Sequence, residues 1–167
     1  MHLTKEWFKE KSACSSGYEW VLKNFPNGGD AQKIVDMLVS ENKIDWALWI
    51  ANNIGPIKNV LEVENLSVKG SFVFLGSIRV SASISVSNFL FAGSGIEAGE
   101  GIEAGWGIKA GLQIFCKKEL SAEFRIFAGI AIWKKEVTDD ERSVICGKLV
   151  KGAISFGLLK EEKLFQE

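Results

Sequence analysis

The sequence predicts an α+β protein built on a short parallel β-helix, with a helical N-terminal cap and a C-terminal strand cap. Three observations carry this prediction. Apolar residues fall three to four apart up to about residue 56, then at every sixth position from Val60 to Ile132, and finally in two alternating runs. The expected domains are 1–56 (helical cap), 57–134 (β-helix) and 135–167 (charged loop, capping strands and tail).

In the first segment Trp7, Phe8, Tyr18, Val21, Leu22 and Phe25 keep the spacing that gathers side chains on one helix face. Asn27-Gly28-Gly29 interrupts it. Asp30 and Asp45 are placed to cap the helices that follow, since a carboxylate accepts the free amides of a first turn. The last helix is expected to stop at Asn53-Ile54-Gly55-Pro56. Four of the six tryptophans (Trp7, Trp20, Trp46 and Trp49) lie here. They read as the bulky core of a small helical domain, with a ligand-stacking cage as the alternative.

The middle segment changes period. Val60, Leu66, Phe72, Ile78, Ile84, Leu90, Ile96, Ile102, Ile108, Ile114, Leu120, Ile126 and Ile132 fall every sixth residue without a miss. Two positions later runs a second column, Val68, Phe74, Val80 and Val86, which turns to small residues at Ala92, Ala98, Ala104, Ala110, Cys116, Ala122 and Ala128. Residues i and i+2 of a strand share a face, so both columns point to one interior. Glycines between the short strands suit the bends, where positive φ or a tight corner is needed. A helix cannot hold a six-residue period on one face, and a hairpin sheet would show turns at other intervals. Three six-residue sides make an 18-residue coil, so residues 60–134 supply about four coils. The small residue follows the aliphatic one, as in Ile96-Glu97-Ala98-Gly99, whereas left-handed hexapeptide helices place it before. This order favours a right-handed coil.

The run GSIRVSASISVS…GIEAGEGIEAGWGIKAG resembles bactofilins, bacterial polymer-forming β-helix proteins, over residues 60–134. Cys14-x-x-Gly17-x-x-Trp20 together with Asp45-Trp46-x-x-Trp49 resembles a helical segment of small uncharacterised phage and prophage proteins. The first resemblance implies self-assembly and the second a mobile-element accessory role. Neither implies a catalytic residue.

Beyond the repeat, the charge run Lys134–Arg142 reads as a solvated loop or short helix. Ser143–Leu149 and Ala153–Leu159 alternate like two strands that cover the last coil, and Lys160–Glu167 reads as a frayed tail.

Composition narrows the function. The chain has 167 residues, 47% hydrophobic and 25% charged, with 20 basic against 21 acidic groups, and that balance argues against a nucleic-acid binder. No run of 18 apolar residues and no apolar signal core occurs, and three cysteines cannot all pair. A cytoplasmic protein without membrane contact is expected. The single histidine, His2, leaves His-based catalysis and most zinc sites without their key residue. Cys14, Cys116 and Cys146 lack metal-ligand spacing, and Gly93-Ser-Gly95-Ile-Glu-Ala-Gly99 carries its third glycine one residue late for a dinucleotide loop. Glu97 and Glu100 fall 18 residues from Arg79 and Lys118, which suits charge ladders better than acid–base work. No enzyme, cofactor or metal is expected.

The outward columns point to binding. Val73, Phe91, Lys109 and Phe127 form one stripe; Trp106 stacks beneath Phe124; Arg79 and Glu97 lead to Phe115 and Trp133. Large apolar residues on the outside of a rigid scaffold are either packed by other parts of the chain or touched by a partner. The candidate binding residues are Trp106, Phe91, Phe127, Phe124 and Lys109. The expected function is a non-enzymatic protein that presents a rigid β-helix surface to a protein partner. The phage resemblance admits a counter-defence inhibitor such as an anti-CRISPR protein. The alternative is a bactofilin-like self-assembling structural protein.

Overall fold

A computed structural model describes residues 1–163, and the chain divides into two compact units, Met1–Gly55 and Pro56–Glu167. No helix among the described residues is long and apolar enough to cross a membrane.

The first unit holds four helices, α1 (Lys5–Glu10), α2 (Ser15–Asn24), α3 (Ala31–Ser40) and α4 (Ile44–Asn53). A two-residue antiparallel pair, β1 (His2–Leu3) with β2 (Gly29–Asp30), ties its start to the α2–α3 link. Thr4 Oγ1 accepts the Trp7 amide at 3.2 Å and starts α1. Asp30 caps α3 as its sequence position predicts, accepting from Gln32 and Lys33 at 3.1 and 3.3 Å. Asp45 does not cap α4: Lys43 holds that position and Asp45 lies within the first turn. Ser12 and Asn42, both at φ 58°, end α1 and α3 in the left-handed conformation that lets Ala13 and Lys43 donate back to Phe8 and Leu38. The core is Leu3, Phe8, Val21, Ile34, Leu38 and Ile50. All four tryptophans are only half-buried, so they are not the core expected of them.

The second unit is a three-sided parallel solenoid. One side stacks β3 (Val60–Val63), β6 (Ser77–Val80), β9 (Ile96–Ala98), β12 (Ile114–Cys116), β14 (Ser143–Cys146) and β16 (Leu158–Glu161), giving about six turns. The other sides stack β4 (Leu66–Val68), β7 (Ile84–Val86) and β10 (Ile102–Ala104), and β5 (Phe72–Phe74), β8 (Leu90–Ala92) and β11 (Ile108–Ala110). The long β13 (Glu119–Ala128) joins both these sides and pairs with β15 (Lys148–Phe156). The 18-residue register holds from Leu66 to Ala128: Ile84 faces Ile102, which faces Leu120. The aliphatic and small columns meet in one core, with Ile108, Ile114, Ala110 and Cys116 fully buried.

The solenoid departs from the repeat at both ends. In the first coil Leu61, not Val60, pairs with Ile78, because that coil is one residue short, and Val60 is exposed. Ile132 is 65% exposed, since the chain leaves the sheet at Gly129 (φ 79°) and returns at Ser143. Val144 takes the inward place opposite Ile114, and Ile145 stands where Trp133 was expected, opposite Phe115. The charge run in between is a loop closed by Thr138 and Glu141, which accept each other's amides at 3.2 and 3.0 Å. The C-terminal strands cover the coil before them by continuing it in parallel, so two further turns follow the four expected over residues 60–134. Lys160 and Glu161 are paired strand residues, not frayed ones; residues 164–167 of the expected tail lie outside the described residues.

The corner glycines serve close approach. Gly76, Gly93, Gly99, Gly105 and Gly111 all lack positive φ, yet an added Cβ would stand 1.8–2.1 Å from a carbonyl oxygen of the preceding coil.

Candidate binding surface

Outward side chains of neighbouring coils stand about 4.8 Å apart, so each column is a ladder of contacts. Arg79 donates to Glu62 at 2.6 Å and to Glu97 at 3.4 Å. These hydrogen bonds, Glu62's first, raise the guanidinium pKa further. Lys118 donates to Glu100 at 3.0 Å and holds that carboxyl below the usual range, with Ser83 assisting. Glu103 lies between Ser85 and Ser121. These acids are engaged in ladders or flanked by serines. A shallow groove of about 340 Å³ runs beside Arg79 and Glu97, with Gln113 and Phe115 in its wall.

The aromatic columns divide by exposure. Trp106, at a corner between Gly105 and Gly107, is 48% exposed, and Phe124 one coil later is 62% exposed. Their backbones are joined by the Phe124 amide donating to the Trp106 carbonyl at 2.8 Å, as the 18-residue register predicts. Lys109 Nζ lies 5.1 Å from the Phe127 ring centre and 5.8 Å from that of Phe89, within cation–π range. Lys109 and Phe127 are half-buried. Phe91 differs from its expected role: it is only 4% exposed, beside the equally buried Val73, and offers no ring to a partner. At the other end of this stripe Phe156 pairs with Phe127 and is exposed. Sequence reading missed Phe156 because the inserted loop and the register shifts in β15 hide the 18-residue spacing.

Cys116 and Cys146 occupy inward positions on neighbouring strands. Burial pushes the Cys116 thiol up to about 12, with the neighbouring Cys146 adding to it, and pushes Cys146 up to about 11. Such thiols stay protonated and inert. Among the described residues no group of three His, Cys, Asp or Glu side chains is placed to hold a metal.

The helical unit has a cavity of its own. A half-open space of about 250 Å³ is lined by Trp20, Trp46 and Trp49 together with Phe8, Val21, Leu38 and Ile50. Trp7 meets Trp49 edge-on at 5.9 Å, and Phe8 stacks on Trp49 at 6.4 Å. Trp20 Nε1 donates to Glu41 at 2.8 Å.

Residues 1–54 match the YdhT N-terminal domain. The match spans the helical unit and stops short of the solenoid. No curated protein and no solved structure matches the chain. The comparisons return neither bactofilins nor phage proteins, and those resemblances stand on the residues quoted above.

Proposed function

We propose that the protein is a non-enzymatic binding protein whose solenoid offers the Trp106–Phe124 column, with Lys109 and Phe127 beside it, to a protein partner. The observation that carries this reading is the exposure of two large aromatics on adjacent coils of a backbone fixed by ladder hydrogen bonds. Holding such rings in water is unfavourable in a monomer, and rigid aromatics tend to dominate interface energy. The engagement of Arg79, Glu97, Glu100 and Lys118 in ladders supports a role without acid–base chemistry. The three free thiols fit a reducing, cytoplasmic setting. The test is capture from the source cell with wild-type protein and with Trp106→Ala/Phe124→Ala. The expected result is a partner held by the wild type and lost by the variant, which melts at the same temperature. Equal capture by both refutes the reading.

Self-assembly is the second reading, favoured by one specific feature. Among the described residues no strand follows the last coil to cover its inward column: Leu149 and Ile154 are half-buried, and Leu159 is 42% exposed. A second copy seated there would bury them and extend the coil. Sedimentation across a hundredfold concentration range tests it: assembly that Leu159→Glu abolishes supports it, and a monomer throughout refutes it.

A further inference from the structure

We propose that the helical unit binds small organic amines with an apolar body, of the arylalkylammonium class, in its tryptophan-lined cavity. Cys14, Gly17 and Trp20 on the α2 side, and Asp45, Trp46 and Trp49 on α4, are separated by up to 35 residues of chain. All six line one cavity of about 250 Å³. That space accepts a single ring with a short side chain and is too small for a peptide segment.

The cavity is graded from apolar to charged. Its floor is Phe8, Val21, Leu38 and Ile50, all 3% exposed or less. Its rim carries the exposed residues Ser12, Cys14 and Asp45. Among the described residues Asp45 is the only charged one lining it, and none of them gives it a hydrogen-bond or ion-pair partner. A ligand that fills the floor with a ring and reaches Asp45 with an ammonium group matches both parts. The indoles favour a cation as well: Lys43 Nζ already sits 6.0 Å from the Trp46 ring centre.

Gly17 keeps the cavity open. It lies inside α2, where glycine costs roughly 1 kcal/mol against alanine. A Cβ there would stand 3.2 Å from Cys14 Sγ and 3.9 Å from the Trp46 ring, so a larger side chain would fill the space between them. Trp20 is held at the edge by its bond to Glu41, whose carboxyl also accepts from Lys43. The proposal is independent of the solenoid surface.

The test is titration of the full chain with phenethylammonium chloride and with its neutral counterpart 2-phenylethanol, at low ionic strength, followed through the six indole N–H resonances. The expected result is saturable shifts at Trp20, Trp46 and Trp49, with the amine binding at least tenfold more tightly than the alcohol. Asp45→Asn is expected to weaken amine binding at least fivefold and leave the alcohol unchanged. Gly17→Met is expected to abolish both while the protein still melts cooperatively. Equal affinity for amine and alcohol overturns the proposal by showing an apolar hole without charge selection. Indifference to Asp45→Asn, or no saturable shift with either probe, overturns it equally.

Discussion

Replacing Gly99 by alanine should separate two coils of the solenoid. The added methyl would stand 1.9 Å from the Ser81 carbonyl oxygen, whereas real Cβ atoms keep at least 3.0 Å from such a neighbour. The corner must therefore open by roughly 1 Å, and the oxygen cannot swing away because it belongs to backbone. Two ladder bonds sit at this corner: the Gly99 amide to Val80 and the Glu100 amide to Ala82, both 2.9 Å. Lengthening them by that amount breaks them, and each unsatisfied amide costs about 1–3 kcal/mol. The expected loss is about 2–6 kcal/mol, a large part of the stability of a domain this size. Gly95→Ala is the control. Its methyl meets the Gln113 oxygen at 3.3 Å, so a shift of a few tenths of an ångström suffices. Its effect should stay within about 1 kcal/mol, since reduced freedom of the unfolded chain offsets mild crowding. Urea unfolding followed by circular dichroism measures both. Equal midpoints for the two variants would show that glycine at position 99 does not set the coil spacing.

Three further outcomes follow from burial. Ile102→Asp should unfold the solenoid, because a buried carboxylate without a partner costs several kcal/mol, while Glu103→Ala next door should shift stability by under about 0.5 kcal/mol; matching thermal melts would reverse the inward and outward assignment. Phe91→Ala should cost about 3 kcal/mol or more and Phe124→Ala little, a contrast that chemical denaturation reads directly. Alkaline pH should weaken the protein through Cys116 and Cys146. Their folded values lie near 12 and 11 against 9.0 when unperturbed, so the unfolded chain ionises first. This contribution is intact below pH 9 and is lost progressively from there to pH 11–12. From pH 8 to 10 each thiol removes on the order of 1 kcal/mol. The alanine double variant should lose correspondingly less over that interval, and equal losses would refute the assignment.

The solenoid was legible in the sequence because its core is one-dimensional: a six-residue period states directly which side chains meet. Ile84, Ile102 and Leu120 could be placed in register from spacing alone. Legibility ended where the period did. A coil one residue short moved Val60 out, and the inserted loop carried Ile132 and Trp133 away from the sheet. That loop also hid the last two turns, whose strands pair at spacings other than 18. Within the helical unit the motif residues were visible, but periodicity reports a helix face without saying whether it is filled. A half-buried tryptophan around a cavity and a core tryptophan carry the same pattern. Phe91 shows the same limit on the solenoid, where outward does not mean uncovered.

The claim that the outward aromatic column is a binding face is tested most directly by photo-cross-linking in the source cell. A photoreactive phenylalanine analogue placed at position 124 keeps a ring where the chain already exposes one. The same analogue at 103, an outward position on another strand, serves as the reference. The account predicts one discrete protein adduct from 124, none from 103, and loss of that adduct when Trp106 is replaced by alanine. No adduct from 124, or the same adduct from both positions, would contradict it.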